Sequence, residues 1–139
     1  MMPEKKIFQP VLSNNVYQIY EFLHSKGIIL FPLTTSAREK VDALVANITG
    51  TYYGQEIYAS NEDKVVAYFY FLIKNHPFTD GNKRTAAVVF NVLCTTNDLR
   101  PNFLNLKSTL DELAIFIERI QEDNHQAVIH QISELLFKS

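Results

Sequence analysis

The sequence predicts an all-α domain of about six helices, with a central buried helical hairpin and one small β-hairpin. Three observations carry that prediction. Apolar residues recur at helical spacing through most of the chain. The four glycines and five prolines fall between the apolar runs, where breaks belong. One stretch alone, "TGTYYGQEIYAS" at 49–60, changes character, with two glycines, three tyrosines and an isoleucine that suit a short hairpin or flap.

The first dozen residues are the least patterned and read as an extended arm, 1–12, leading into one domain over 13–139. A first helix is expected from about Asn15 to Lys26, with Val16, Ile19, Tyr20, Phe22 and Leu23 at helical spacing and Gly27 as its C-terminal cap. The pair Ser36 and Glu39 has capping-box spacing, so a second helix is expected to start near Ser36, with Val41, Leu44, Val45 and Ile48 on its apolar face. After the flap, Ser60 and Asp63 signal the start of "EDKVVAYFYFLIKN", which is apolar on nearly every side after its first turn. Such a helix belongs inside a core. Asn75 and Pro77 end it, because the residue before proline avoids the helical region. "TAAVVFNVLCTT" forms the second arm of the hairpin, Pro101 breaks the chain, and two amphipathic helices follow near 108–122 and 125–137.

Composition narrows the function. With 139 residues, 47% of them hydrophobic, and a net charge of −2, the chain reads as globular and carries no broad basic surface for nucleic acid. The one cysteine, Cys94, lies in an apolar run and reads as a small buried hydrophobe. No paired Cys or Cys/His spacing suggests zinc. The opening "MMPEKKIFQP" lacks the apolar centre of a secretory signal. The longest apolar run, Val65 to Ile73, falls far short of the ~20 residues that cross a bilayer. A cytoplasmic location with no membrane partner is the expectation.

Between the two core helices lies "HPFTDGN", followed by Lys83 and Arg84. Asp80-Gly81-Asn82 taken alone is an ordinary turn and helix-entry sequence. The two cations are not ordinary, because positive charge in a first helical turn opposes the macrodipole. Together with free backbone N–H groups they make an anion pocket, suited above all to phosphate. Gly81 would let backbone approach a phosphate closely. Asp80 beside phosphates suits Mg²⁺, which takes one or two carboxylates plus phosphate oxygens. His76 can accept a proton from a hydroxyl near neutral pH. These are the parts of phosphoryl or nucleotidyl transfer, and no Gly-x-x-x-x-Gly-Lys-[Ser/Thr] phosphate loop is present to supply them otherwise.

The stretch "HPFTDGNKRTA" resembles the signature loop of the Fic/Doc superfamily, and Lys83 resembles its death-on-curing (Doc) branch. Seven positions, His76, Phe78, Asp80, Gly81, Asn82, Lys83 and Arg84, fit at fixed spacing, and the likeness extends back over "YYGQEIYASNEDKVVAYFYFLIKN" before fading at both ends. The resemblance implies a Fic fold with the motif between its central helices. It implies that His76 is the general base on a target hydroxyl and that Phe78 anchors the loop. Asp80 would bind Mg²⁺ bridging the phosphates of ATP or another nucleoside triphosphate, which Gly81, Asn82, Lys83 and Arg84 would hold. Tyr52, Tyr53, Gly54, Gln55, Glu56, Ile57 and Tyr58 match the flap that aligns a target strand. The flap tyrosines also suit plain hairpin packing.

Two departures bear on the reaction. Fic enzymes that transfer AMP usually carry glycine where this chain has Lys83 and a second arginine where it has Ala87. In Doc-like members the lysine accompanies an inverted nucleotide, so that the γ-phosphate faces the target. The implied reaction is protein phosphorylation of toxin type, with a threonine of a translation elongation factor as the known kind of target. AMP transfer and a non-catalytic interaction module are the alternatives. The inhibitory pattern [Ser/Thr]-x-x-x-Glu-[Gly/Asn] has its nearest match at Ser108 to Glu112, but Leu113 breaks it and Ser108 reads instead as a helix N-cap. No built-in brake is expected, and control by a separate antitoxin is.

Overall fold

The structure is a computed structural model and describes residues 7–137 apart from 122. It contains α1 (Ser13–Ser25), α2 (Thr35–Thr49), the strands β1 (Thr51–Tyr52) and β2 (Gln55–Glu56), α3 (Asn61–Lys74), α4 (Asn82–Thr96), α5 (Leu106–Arg119) and α6 (His125–Phe137). The fold is all-α with a small antiparallel hairpin, β1 to β2, paired Thr51 with Glu56 and Tyr52 with Gln55.

α3 is the axis of the molecule. Every residue from Val65 to Ile73 is buried, so a helix apolar on all sides meets neighbours on all sides. It packs on α4, α6, α2 and α5, and α4 in turn packs on α1. Tyr68 donates its hydroxyl hydrogen to the carbonyl of Val11 (2.8 Å), and Asn97 accepts from Gln9 N–H while donating to its carbonyl. The described end of the expected arm is thus sewn onto α3 and the end of α4; residues 1–6 of that arm lie outside the described residues.

Helix ends follow local chemistry, with corrections to three expected starts. α1 begins at Ser13, where Asn15 Oδ1 accepts from Leu12 N–H (3.0 Å). The N-cap of α2 lies two residues earlier than expected, because Thr34 rather than Ser36 accepts from a first-turn N–H, that of Ala37 at 3.1 Å. α5 is capped by Asn105, which accepts from Ser108 N–H at 3.1 Å, so Ser108 lies inside the helix and is not its cap. The C-terminus of α1 closes as expected around Gly27. Gly27 N–H bonds His24 O and Ile28 N–H bonds Leu23 O, the paired pattern that satisfies the last carbonyls.

Candidate active site

The site is the turn that joins α3 to α4. Asn75 N–H bonds Phe71 O and ends α3, and His76 then takes a left-handed conformation with φ +50°. Such a φ is uncommon outside glycine and costs about 1–2 kcal/mol. Its effect is to turn the chain away from the helix and leave the imidazole exposed. Pro77 and Phe78 go back inside.

Phe78 fixes the turn from below. Its ring, 2% exposed, stacks on Tyr20 with centroids 4.3 Å apart. Asn82 completes the clamp: its Oδ1 accepts from Phe78 N–H (3.0 Å) and its Nδ2 donates to Phe78 O (2.9 Å). Asn82 is 4% exposed. The side chain is thus bound into the loop, and the expected phosphate role rests on the backbone N–H at the start of α4.

Gly81 is also used differently from the expectation. It caps α4 with φ +82°, and a Cβ there would stand 2.4 Å from Ile29 Cδ1. The glycine lets the buried Ile29 side chain press on the turn, and left-handed backbone favours it further.

α4 then starts with Asn82, Lys83 and Arg84, with no side-chain cap and no acid in its first turn. The first N–H groups of a helix have no partner within it. Arg84 Nη1 donates to Ile28 O at 2.8 Å, a neutral partner that leaves the guanidinium its full charge. Lys83 Nζ is 2.9 Å from Glu118 Oε1, so the sequence picture of two uncompensated cations holds for Arg84 and fails for Lys83. Lys74 Nζ donates to the carbonyls of Ile117 and Ile120, holding the end of α5 that carries Glu118.

These groups surround a cleft of about 480 Å³, lined by His76, Thr79, Asp80, Gly81, Asn82, Lys83 and Arg84 of the turn and α4, by Gly27, Ile28 and Leu30 of the α1–α2 connection, and by Glu118 of α5. Asp80 is exposed at its mouth, and burial and then the charge of Asp80 raise the Tyr20 phenol above its ordinary value. No group of three metal-ligating side chains occurs among the described residues. Asp80 lies beside a helix N-terminus and Glu118 is the second carboxylate of the lining, paired with Lys83, a donor set that suits a cation completed by phosphate oxygens.

The six motif residues expected at the site are thus together, and the flap is not with them. No flap residue lines the cleft. Lys64, on α3 and buried, pairs with Glu56 at 3.0 Å, and Gln126 Nε2 reaches Ile57 O at 3.4 Å. Tyr53 is 90% exposed, whereas Tyr58 is 4% exposed and lies edge-on to Phe71. Burial pushes the Tyr58 phenol up to about 12. Tyr58 is a core residue, a correction to its place in the target-binding flap.

A family model described as "Fic/DOC family" matches residues 12–94, more than half of the chain. The chain belongs to the Fic/DOC family. The family is of nucleotidyl- or phosphotransferase type, and the matched segment runs from the start of α1 almost to the end of α4, taking in the hairpin and the whole α3–α4 turn. No curated protein and no solved structure matches the chain.

α5 and α6 lie beyond the matched segment, and with them Glu118. Sequence reasoning missed Glu118 and the pair Ile28 and Leu30. Glu118 had one signal: an acid in the last turn of a helix opposes the macrodipole, so it needs a cation elsewhere. The signal of Ile28 and Leu30 was an apolar run, "IILF", placed after a helix cap rather than on a helix face.

Proposed function

We propose that this Fic/DOC-family protein transfers the γ-phosphate of a nucleoside triphosphate, ATP in the first instance, to a hydroxyl side chain of a target protein, in the Doc manner. The observation that carries the reading is the convergence of His76, Asp80, Arg84, Lys83 and the open N-terminus of α4 on one cleft. His76 Nδ1 or Nε2 takes the proton of the target hydroxyl as its oxygen attacks the γ-phosphorus. The bond from that phosphorus to the bridging oxygen breaks, and the nucleoside diphosphate leaves. Arg84, Lys83 and the backbone N–H groups of Asn82 and Lys83 stabilise charge on the phosphoryl oxygens. Asp80 would hold Mg²⁺, which when bound neutralises phosphate charge and orients the chain of phosphates.

Lys83 favours phosphate over AMP transfer. A long side chain occupies the second position of α4, and Ala87, one turn after Arg84, offers no second guanidinium. Incoming phosphate has to take Lys83 from Glu118. The exposed two-residue strands of the flap leave backbone groups for a target strand, and Tyr52 and Tyr53 are the side chains placed to meet it. A toxin-type role on a translation factor, opposed by a separate antitoxin in the cytoplasm, follows from the same Doc-like reading. Among the described residues no helix is long and apolar enough to cross a membrane.

The test is label transfer in a cell lysate. Protein-bound label from γ-labelled ATP, lost in His76→Ala, supports the reading. Label from α-labelled ATP instead supports AMP transfer. Label from neither, with tight binding of a folded partner, leaves an interaction module.

A further inference from the structure

The connection between α1 and α2 is held far more firmly than a surface loop needs. Ile29 is fully buried, and its side chain packs on Gly81. Its carbonyl meets His24 Nδ1 at 2.8 Å, the Phe31 carbonyl accepts from Tyr20 at 2.7 Å, and the Ile28 carbonyl accepts from Arg84 at 2.8 Å. Yet this braced backbone holds Ile28 at 42% exposure and Leu30 at 76%, both facing the cleft. A mobile loop could fold such side chains away. This one cannot, so their apolar surface stays in water until something covers it.

What covers it is constrained by the adjoining wall, made of the motif residues of the same cleft. That wall is an anion site, and Arg84 joins the two, with its guanidinium on the Ile28 carbonyl. The occupant therefore has an anionic part and an apolar part within reach of one side chain. A cleft of about 480 Å³ is of small-molecule size. We infer that Ile28 and Leu30 form the seat of the nucleotide's base, and so set how tightly the enzyme holds its nucleotide. The inference rests on the nucleotide reading above and adds a location for the half of the ligand that the motif does not touch. A flat heteroaromatic ring gains by covering two branched aliphatic side chains, which are shaped to pack and carry no polar group to satisfy. Sequence-specific recognition of the base edge is not supplied by these two side chains, so the seat tolerates either purine.

Calorimetric titration with Mg²⁺-ATP and with Mg²⁺-tripolyphosphate, which has the phosphates and no base, separates the two walls. Both substituted side chains are exposed, so Ile28→Ser/Leu30→Ser keeps its fold, checked by an unchanged melting temperature. The double variant is expected to bind ATP about tenfold more weakly than the parent and tripolyphosphate within twofold of it. A second reading uses the unmodified protein: methyl resonances of Ile28 and Leu30 shift with ATP, through the ring current of the base, and not with tripolyphosphate. ATP affinity unchanged in the double variant, or equal losses for both ligands, overturns the inference while the nucleotide reading stands. A raised KM for the protein target with unchanged ATP affinity also overturns it and gives the wall to the target. If the parent binds neither ligand, the nucleotide reading itself falls and takes the inference with it.

Discussion

The turn between α3 and α4 and the hairpin between α2 and α3 are both short and both show polar groups to solvent, but they are fixed in opposite ways. The turn is held from beneath at three of its residues, by Phe78 on Tyr20, Asn82 on the Phe78 backbone and Ile29 on Gly81. The hairpin is held at its base, by Tyr58 in the core, by Glu56 on Lys64, by Ile57 N–H on Gly50 O and by Gln126 on Ile57 O. Its tip, Tyr53 and Gly54, stands free in solvent with both φ angles positive, the geometry of a tight two-residue hairpin turn. Chemistry needs atoms held in place, because a misplacement of about 1 Å costs on the order of a hundredfold in rate. A strand proposed to dock a target needs exposed backbone, which the hairpin has and the turn lacks.

The largest effect that separates the two regions should come from His76. His76→Asn keeps a residue that tolerates the left-handed turn and removes the base. It is expected to lower transfer by about 10²–10⁴-fold, measured as the rate of label incorporation, with little change in melting temperature. Next comes the contrast within the hairpin. Tyr58→Ala should destabilise the fold by about 3 kcal/mol in denaturant unfolding, as a large core truncation does, and Tyr53→Ala by less than about 0.5 kcal/mol. Equal effects at the two tyrosines would erase the division between base and tip.

Asn82→Ala tests the clamp of the turn. It leaves the buried N–H and carbonyl of Phe78 without Asn82, for a loss of about 2–3 kcal/mol, and a stability unchanged by the substitution would return Asn82 to a ligand role. The smallest effect belongs to Glu118→Gln. An exposed ion pair is worth up to about 1 kcal/mol, so freeing Lys83 should tighten Mg²⁺-ATP binding by no more than about fivefold in titration calorimetry. Weaker binding would mean that Glu118 positions Lys83 for the phosphate rather than competing for it.

Much of this was legible in the residues. The uniformly apolar "VVAYFYFLI" demanded a helix surrounded by others, and the cations after Gly81 demanded an anion or a partner. What stayed hidden were choices made between segments distant in sequence. Asn82 has the same side chain whether it meets a phosphate or Phe78, and burial decides which. Glu118 reaches Lys83 only because α5 is pinned by Lys74 and folds back over the turn. Ser36 and Glu39 have capping spacing, but Thr34, two residues earlier, already has the extended backbone that a cap requires. Tyr58 looks like its neighbours Tyr52 and Tyr53, and only the wall of α3 separates it from them.

Whether this turn moves a phosphate is decided by mass spectrometry of a lysate incubated with the protein, ATP and Mg²⁺. The expected result is a protein whose mass rises by one phosphate on a serine, threonine or tyrosine, absent with His76→Asn. A gain of one AMP on such a residue, or no gain on any protein, would contradict it.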